Sequence, residues 1–179
     1  SPDQEIGHLE FLDAIFGTPP DGETICVSEG RPKSEGGVWF ANMESTRRVV
    51  QRWKPAKDAR AMYVSIATVN GETKPSGDGE NNESGDYLLR ARVNLVQVHV
   101  LVLDDIGTKA TAPEGVEPTY KIETSPGNYQ WGYRLEPTDR FDEFEALFKH
   151  CADQGWSDAG AGGSYRVVRI PGSANMKPA

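Results

Sequence analysis

Residues 93–103, Val-Asn-Leu-Val-Gln-Val-His-Val-Leu-Val-Leu, constrain the fold more than any other stretch of the chain. Toward the end of this run Val96, Val98, Val100 and Val102 fall on one face of an extended strand, and Leu101 and Leu103 on the other. A strand that is apolar on both sides has no face to offer water. It is therefore expected at the centre of a sheet covered on both sides. The run ends in Asp104-Asp105. Adjacent carboxylates repel, and burying them unpaired is costly, whereas a divalent cation removes that cost. Successive strand residues point to opposite faces, so both acids reach one metal cluster only if the chain bends at Asp105. Ile106-Gly107 permits such a bend. The competing reading is an ordinary strand-end turn, where Asp is common.

Helical and extended patterns alternate along the rest of the chain. Ile6, Leu9, Leu12 and Phe16 predict a helix over 6–16, stopped by Gly17-Thr18-Pro19-Pro20. Short strands are expected over 24–28 and 37–41. Asn42 can cap a second helix lined by Met43, Thr46, Val49, Val50 and Trp53, with Arg47, Arg48 and Arg52 largely on another face. A strand is expected over 62–69. Residues 70–85, dominated by Gly, Ser, Asn, Asp and Glu, read as a loop or lobe boundary. Strands over 119–124 and 129–135 are joined by Ser125-Pro126-Gly127-Asn128, and Pro then Gly at the central positions specifies a type II turn. Phe141, Phe144, Phe148 and Cys151 form the inward stripe of a helix over 139–153. A Gly-rich loop at 160–163, read as a flexible connector rather than a phosphate cradle, precedes a last strand over 165–170. The class is α/β or α+β.

Beyond the Asp pair, two constellations can carry chemistry. After the type II turn, alternation places Gln130, Gly132 and Arg134 on one face and Tyr129, Trp131, Tyr133 and Leu135 on the other. A polar face with Gly in its middle leaves room for a ligand near the backbone. The competing reading is a plain hairpin with a wet outer face. In the last stretch Arg169 leaves a strand, and Asn175 and Lys177 follow a Pro-Gly turn. Arg offers a planar fork to phosphate oxygens and Lys a point charge, and the competing reading is a surface turn with two stray cations.

Several classes are set aside. No Gly-x-x-x-x-Gly-Lys-Ser/Thr loop occurs, so the chain is not read as a nucleotide-hydrolysing motor. The histidines, His8, His99 and His150, are far apart, which argues against a nicking endonuclease built on a His-x-His metal site. Cys26 and Cys151 form no CxxC pair, so no zinc is expected. No apolar run reaches membrane-spanning length and no leader is evident, so no membrane partner is expected. The chain begins at Ser1 and is read as a piece of a longer protein. The net charge of −8 does not favour nucleic acid. Its distribution matters more: eight basic residues lie from Arg31 to Arg60, against Glu35, Glu44 and Asp58, and the competing reading of 44–60 is a solvated charged helix face.

In order and spacing, LVLDDIGTK, IETSPGNYQ and RVVRIPGSANMK resemble the three motif blocks of the archaeo-eukaryotic primase superfamily, most closely its plasmid and phage replication branch. The resemblance covers about residues 95–178, and its middle block is the most specific. It implies an antiparallel sheet with helices, like an RNA-recognition module, joined to an N-terminal α/β lobe. Within one catalytic domain, 1–179, the N-terminal lobe would be 1–90 and the metal-binding lobe 91–179, with the active site in the cleft between them. It implies two magnesium or manganese ions held by Asp104 and Asp105. It also implies nucleotide contacts from Ser125, Asn128, Gln130, Arg169 and Lys177. Gln130 stands where the superfamily usually has His, a departure shared with the plasmid branch, and Gln supplies no positive charge. Asp158, eleven residues before Arg169, is the candidate third carboxylate. The plasmid branch tends to have a further acid where this chain has Gly163. Glu123 remains an alternative if its side chain shares the face of Gln130, and Asp153 reads as a solvated helix end.

The resemblance thus implies a primase-polymerase that starts strands on single-stranded DNA from nucleoside triphosphates by two-metal nucleotidyl transfer. Its setting would be the cytoplasm of a bacterial host, with a helicase domain or protein as candidate partner. The alternative is a catalytically inactive, primase-like DNA-binding module of a replication initiator, against which the intact Asp pair argues. Template DNA is expected on Arg47, Arg48, Arg52 and Lys54. Binding should weaken steeply with salt, because cations on phosphates release counterions. A triple Arg47→Ala, Arg48→Ala, Arg52→Ala variant that binds normally in a salt titration would move the DNA site elsewhere.

Overall fold

The computed structural model describes residues 8–30, 38–40, 61–75 and 86–171. The expected helix after Asn42, which carries Arg47, Arg48, Arg52 and Lys54, lies outside the described residues, and so does Lys177. In chain order the elements are α1 (His8–Phe16), β1 (Val27–Gly30), β2 (Val38–Phe40), β3 (Ala61–Ser65), β4 (Ala67–Val69), β5 (Thr73–Pro75), β6 (Asp86–Leu88), β7 (Leu95–Ile106), β8 (Tyr120–Ser125), β9 (Asn128–Thr138), α2 (Phe141–Asp153) and β10 (Val167–Arg169). Short 3-10 turns lie at Arg92–Asn94 and Ala159–Ala161.

The strands make two four-stranded sheets, ordered β10-β3-β1-β2 and β4-β7-β9-β8, and a small ribbon of β5 and β6. Pairing between strands is antiparallel throughout. The strand expected over 62–69 is in fact two strands, one in each large sheet. Ile66 is the joint between them: its N–H donates to the Arg166 carbonyl at 3.0 Å, and its own carbonyl accepts from the His99 N–H at 2.9 Å. One residue thus satisfies its backbone in two directions, and the sheets curl into an antiparallel half-barrel. With its helices this is the mixed α/β, RNA-recognition-module-like architecture expected. Within the 70–85 stretch, Thr73–Pro75 is a strand paired with Asp86–Leu88, and 76–85 lie outside the described residues.

β7 behaves as its two apolar faces demand. Val98, Val100, Leu101, Val102 and Leu103 are all buried, between β4 on one edge and β9 on the other. α1 and α2 both pack against β7. Phe144, Phe148 and Cys151 are buried along α2, with Phe141 half-buried at its start. Both cysteines are buried free thiols, and burial pushes the Cys26 thiol up to about 12. Glu145 on α2 accepts from the Ser164 hydroxyl at 3.0 Å and from Arg92 at 2.8 Å, which ties the approach to β10 onto the helix. Among the described residues no helix is long and apolar enough to cross a membrane.

The hairpin turn forms as its Pro-Gly predicts, with φ 74° at Gly127. Two glycine readings change. Gly132 does not leave room for a ligand: it pairs with Tyr120 on β8, and a Cβ there would fall inside the Tyr120 ring. That ring in turn meets Phe11 of α1 edge-on, with centroids 5.0 Å apart. The 160–163 connector is packed rather than loose, since a Cβ on Gly162 would lie 2.8 Å from the Phe148 ring. Gly132→Ala is expected to lower stability by roughly 1–3 kcal/mol through overpacking. Chemical denaturation should show it as a lower midpoint at unchanged slope, and a wild-type midpoint would mean the Tyr120 ring yields freely.

Candidate active site

The Asp pair is reached by a break in the β7–β9 ladder. Leu103 pairs with Trp131 and Ile106 with Tyr129, so β7 spends one more residue than its partner across Asp104 and Asp105. This is a β-bulge, which re-aims side chains at the end of a strand. Asp105 takes φ 58°, alone among the described non-glycine residues in having positive φ. The left-handed conformation costs an L-residue roughly 1–2 kcal/mol. The Asp105 carbonyl accepts from the Thr108 N–H and the Ala110 N–H at 3.2 and 2.9 Å. At about 0.5–1.5 kcal/mol net per hydrogen bond, that turn offsets the strain. Gly107, at φ 94°, lets the turn press against the carbonyl of Gly127 in the neighbouring hairpin.

Backbone groups at Asp104 are held by the segment after α2. The Asp104 N–H donates to the Ser157 hydroxyl at 2.9 Å, and its carbonyl accepts from the Asp158 N–H at 3.2 Å. The Asp105 N–H donates to Asp104 Oδ1 at 2.9 Å. The bend that the sequence required is therefore present and fixed from both sides.

Both acids open into a cleft of about 390 Å³ bordered by Tyr63, Thr124, Ser125, Asn128, Gln130, Asp158, Gly160, Arg166 and Arg169. Of the expected site residues, Asp104, Asp105, Asp158, Ser125, Asn128, Gln130 and Arg169 all line it. Asp158 starts the 3-10 turn without a side-chain capping bond to it. Glu123 does not share the face of Gln130, because register sets it opposite Tyr129, whose hydroxyl donates to it at 2.6 Å. Asp153 pairs with Lys149 at 2.7 Å on the exposed end of α2.

Asn128, which lines the cleft, is also tied into the acid pair and the hairpin. Its Nδ2 donates to Asp105 Oδ1 and to Thr124 Oγ1, both at 3.0 Å, and its Oδ1 accepts from Thr108 at 2.7 Å. All of these bonds serve the bend and the hairpin. Arg169 donates to the Thr124 carbonyl at 3.3 Å, so β10 of one sheet touches the hairpin of the other. Burial weakens its hold on the proton and Tyr63 nearby opposes that, but guanidinium stays charged at any working pH. Gln130 Oε1 is buried without a hydrogen-bond partner in the cleft wall. Buried polar atoms left unsatisfied are uncommon, and turning the amide would present N–H instead.

Sequence reasoning missed Arg166. It lies in the third motif block, where only Arg169 and Lys177 drew notice as cations, yet it is largely buried beside the Asp pair. Nη1 donates to the Val102 carbonyl at 2.7 Å and Nη2 to Asp104 Oδ2 at 3.3 Å. Burial depresses its proton affinity, while Asp104, Tyr120, Asp105 and Asp158 counter the effect. The need for a counter-cation near two adjacent acids was a usable signal; which cation supplied it was not.

The donor set at the pair is oxygen only, which suits hard cations. Among the described residues no three His, Cys, Asp or Glu side chains gather as a metal cage. Magnesium seldom needs one: it keeps waters and takes one or two carboxylates plus phosphate oxygens. Asp104 and Asp105 fit an ion completed in that way.

The family model of the RepB DNA-primase N-terminal domain matches residues 44–179. The match starts well before the three motif blocks and takes in β3 and β4 as well as the basic stretch from Arg47 to Arg60. No curated protein matches the sequence. Among solved structures, the AEP domain of the Primase-Polymerase (PrimPol) of cyanophage S-2L is similar, with TM-score 0.61 and 11% identity, over 95% of this chain and 83% of that one. At this identity the likeness is one of fold, and it extends to nearly the whole chain. The chain belongs to the RepB DNA-primase N-terminal domain family, within the plasmid and phage branch of the archaeo-eukaryotic primase superfamily.

Proposed function

We propose that the chain is a nucleotidyltransferase that starts and extends strands on single-stranded DNA from nucleoside triphosphates. The observation that carries this reading is the bulge at Asp105. It brings two adjacent carboxylates into one cleft whose walls also hold Arg166 and Arg169. Phosphoryl transfer asks a protein mainly for position and charge, and carboxylates on a rigid strand end with arginines nearby answer that need. Magnesium or manganese held by Asp104 and Asp105, with Asp158 as third carboxylate, would clamp the attacking and leaving oxygens.

Around that centre the roles divide by what each side chain already touches. Arg169, anchored to the Thr124 carbonyl, offers its remaining donors to the triphosphate. Ser125 and Gln130 add neutral contacts from the hairpin, with Lys177 beyond the described residues as a further cation. Asn128 positions Asp105 and stands beside Ser125 and Gln130 as a proposed nucleotide contact. Template would lie along Arg47, Arg48, Arg52 and Lys54, and a helicase domain or protein is the proposed partner.

A second reading has two observations in its favour. Without a three-acid cage among the described residues, and with Arg166 on Asp104, the chain could be a DNA-binding module without catalysis. A template-directed incorporation assay on single-stranded DNA, with magnesium or manganese, separates the two. The wild type should incorporate nucleotide, and Asp104→Asn or Asp105→Asn should lose on the order of 10²-fold or more. Arg169→Ala should raise KM for nucleotide, lower kcat, or both. DNA binding without incorporation by the wild type would establish the second reading, and Asp variants at wild-type rate would remove the acids from the chemistry.

A further inference from the structure

Arg166 is a buried charge that the reading above uses only as part of the cleft wall. Its side chain is 12% exposed and that of Asp104 is 24% exposed. The strong bond is to the backbone: Nη1 reaches the Val102 carbonyl at 2.7 Å, two residues before Asp104 on β7. The bond to the acid is the weaker one, 3.3 Å from Nη2 to Asp104 Oδ2. Charge-assisted bonds between arginine and carboxylate are usually about 2.7–2.9 Å. Arg166 is thus fastened to the strand and rests loosely on the acid. The other cation at the pair, Lys109, is 74% exposed and 3.8 Å from Asp105, where solvent screens it. The arginine itself is placed by the sheet joint, since its carbonyl accepts the Ile66 N–H.

A guanidinium has no accessible neutral form, so it cannot relieve its burial by losing a proton. It needs Asp104 when no metal is present, and it opposes any metal that seeks the same oxygen. We infer that Arg166 is a built-in counter-cation of the acid pair. It holds Asp104 in place in the metal-free protein and lowers the affinity of the bare cleft for divalent cations. Nucleotide, as a polyanion, then relieves the repulsion between Arg166 and the metal, so metal and nucleotide bind with positive coupling. The inference rests on the metal-site reading of Asp104 and Asp105. Arg166 is a positioning residue here, acting through Asp104.

The test is manganese binding to the full chain, followed by electron paramagnetic resonance of free Mn2+, for the wild type, Arg166→Gln, Arg166→Lys and Asp105→Asn, with thermal unfolding in EDTA alongside. Binding that disappears in Asp105→Asn is binding at the pair. Arg166→Gln should bind Mn2+ about tenfold more tightly without nucleotide, the size of one partly screened charge. It should also lose most of the nucleotide-induced tightening and unfold at a lower temperature in EDTA. Arg166→Lys, which keeps the charge, should stay within about threefold of wild type in affinity, well short of that change. Equal or weaker Mn2+ binding by Arg166→Gln, with pair-specific binding intact in the wild type, overturns this inference and leaves the metal reading standing. No pair-specific binding in the wild type or either Arg166 variant overturns both. Binding that appears only in Arg166→Gln supports the inference in its strongest form.

Discussion

The structure depends on one local event, the exchange of sheet pairing for turn and side-chain bonds at Asp104 and Asp105. A strand buried on both faces cannot simply stop in the core, because each backbone polar group left without a partner costs on the order of 1–3 kcal/mol. Here Ser157 and Asp158 take the backbone of Asp104, and the 105–110 turn takes the carbonyl of Asp105. The bulge therefore costs little, and it swings both carboxylates into a cleft that neither sheet could form alone. Everything else in the site is referred to that point: Asn128 steadies Asp105, Arg166 answers Asp104, and Arg169 closes the hairpin against β10.

The half-barrel supplies the second wall for a comparable reason. Ile66 gives its N–H toward one sheet and its carbonyl toward the other, so β10 and β7 are held across a shared joint. Arg166 and Arg169 arrive opposite the acids because they flank or end the short strand paired with β3. A cleft built in this way takes charge of opposite sign from two sheets, which suits a substrate that is itself a polyanion with metal.

The parts of this arrangement that follow from chain-local rules were legible in the sequence. The central strand could be read from its double apolar face, the type II turn from Pro126-Gly127, and α2 from its phenylalanine stripe. The need for a bend at Asp105 followed from the alternation of strand side chains. Features that depend on register or on packing between distant segments were not legible. The split at Ile66 has no local mark, since strand formers lie on both sides of it and neither Gly nor Pro interrupts residues 62–69. Gly132 looked open because nothing in its own strand says that Tyr120 lies opposite. Which face Glu123 takes was left open, because it depends on a register interrupted by the bulge near the hairpin turn. Arg166 was hidden for the same reason: the direction of a side chain outside a strand is set by what it meets, here a carbonyl and a carboxylate 62–64 residues earlier in the chain.

The central claim is that Asp104 and Asp105 hold the catalytic cations. The direct measurement is anomalous diffraction from crystals of the protein with manganese and a non-hydrolysable nucleoside triphosphate. The account predicts an anomalous peak within about 2.0–2.4 Å of carboxylate oxygens from both residues, with phosphate oxygens completing the shell. Manganese bound elsewhere, with nucleotide in the cleft and no peak at the Asp pair, would contradict it.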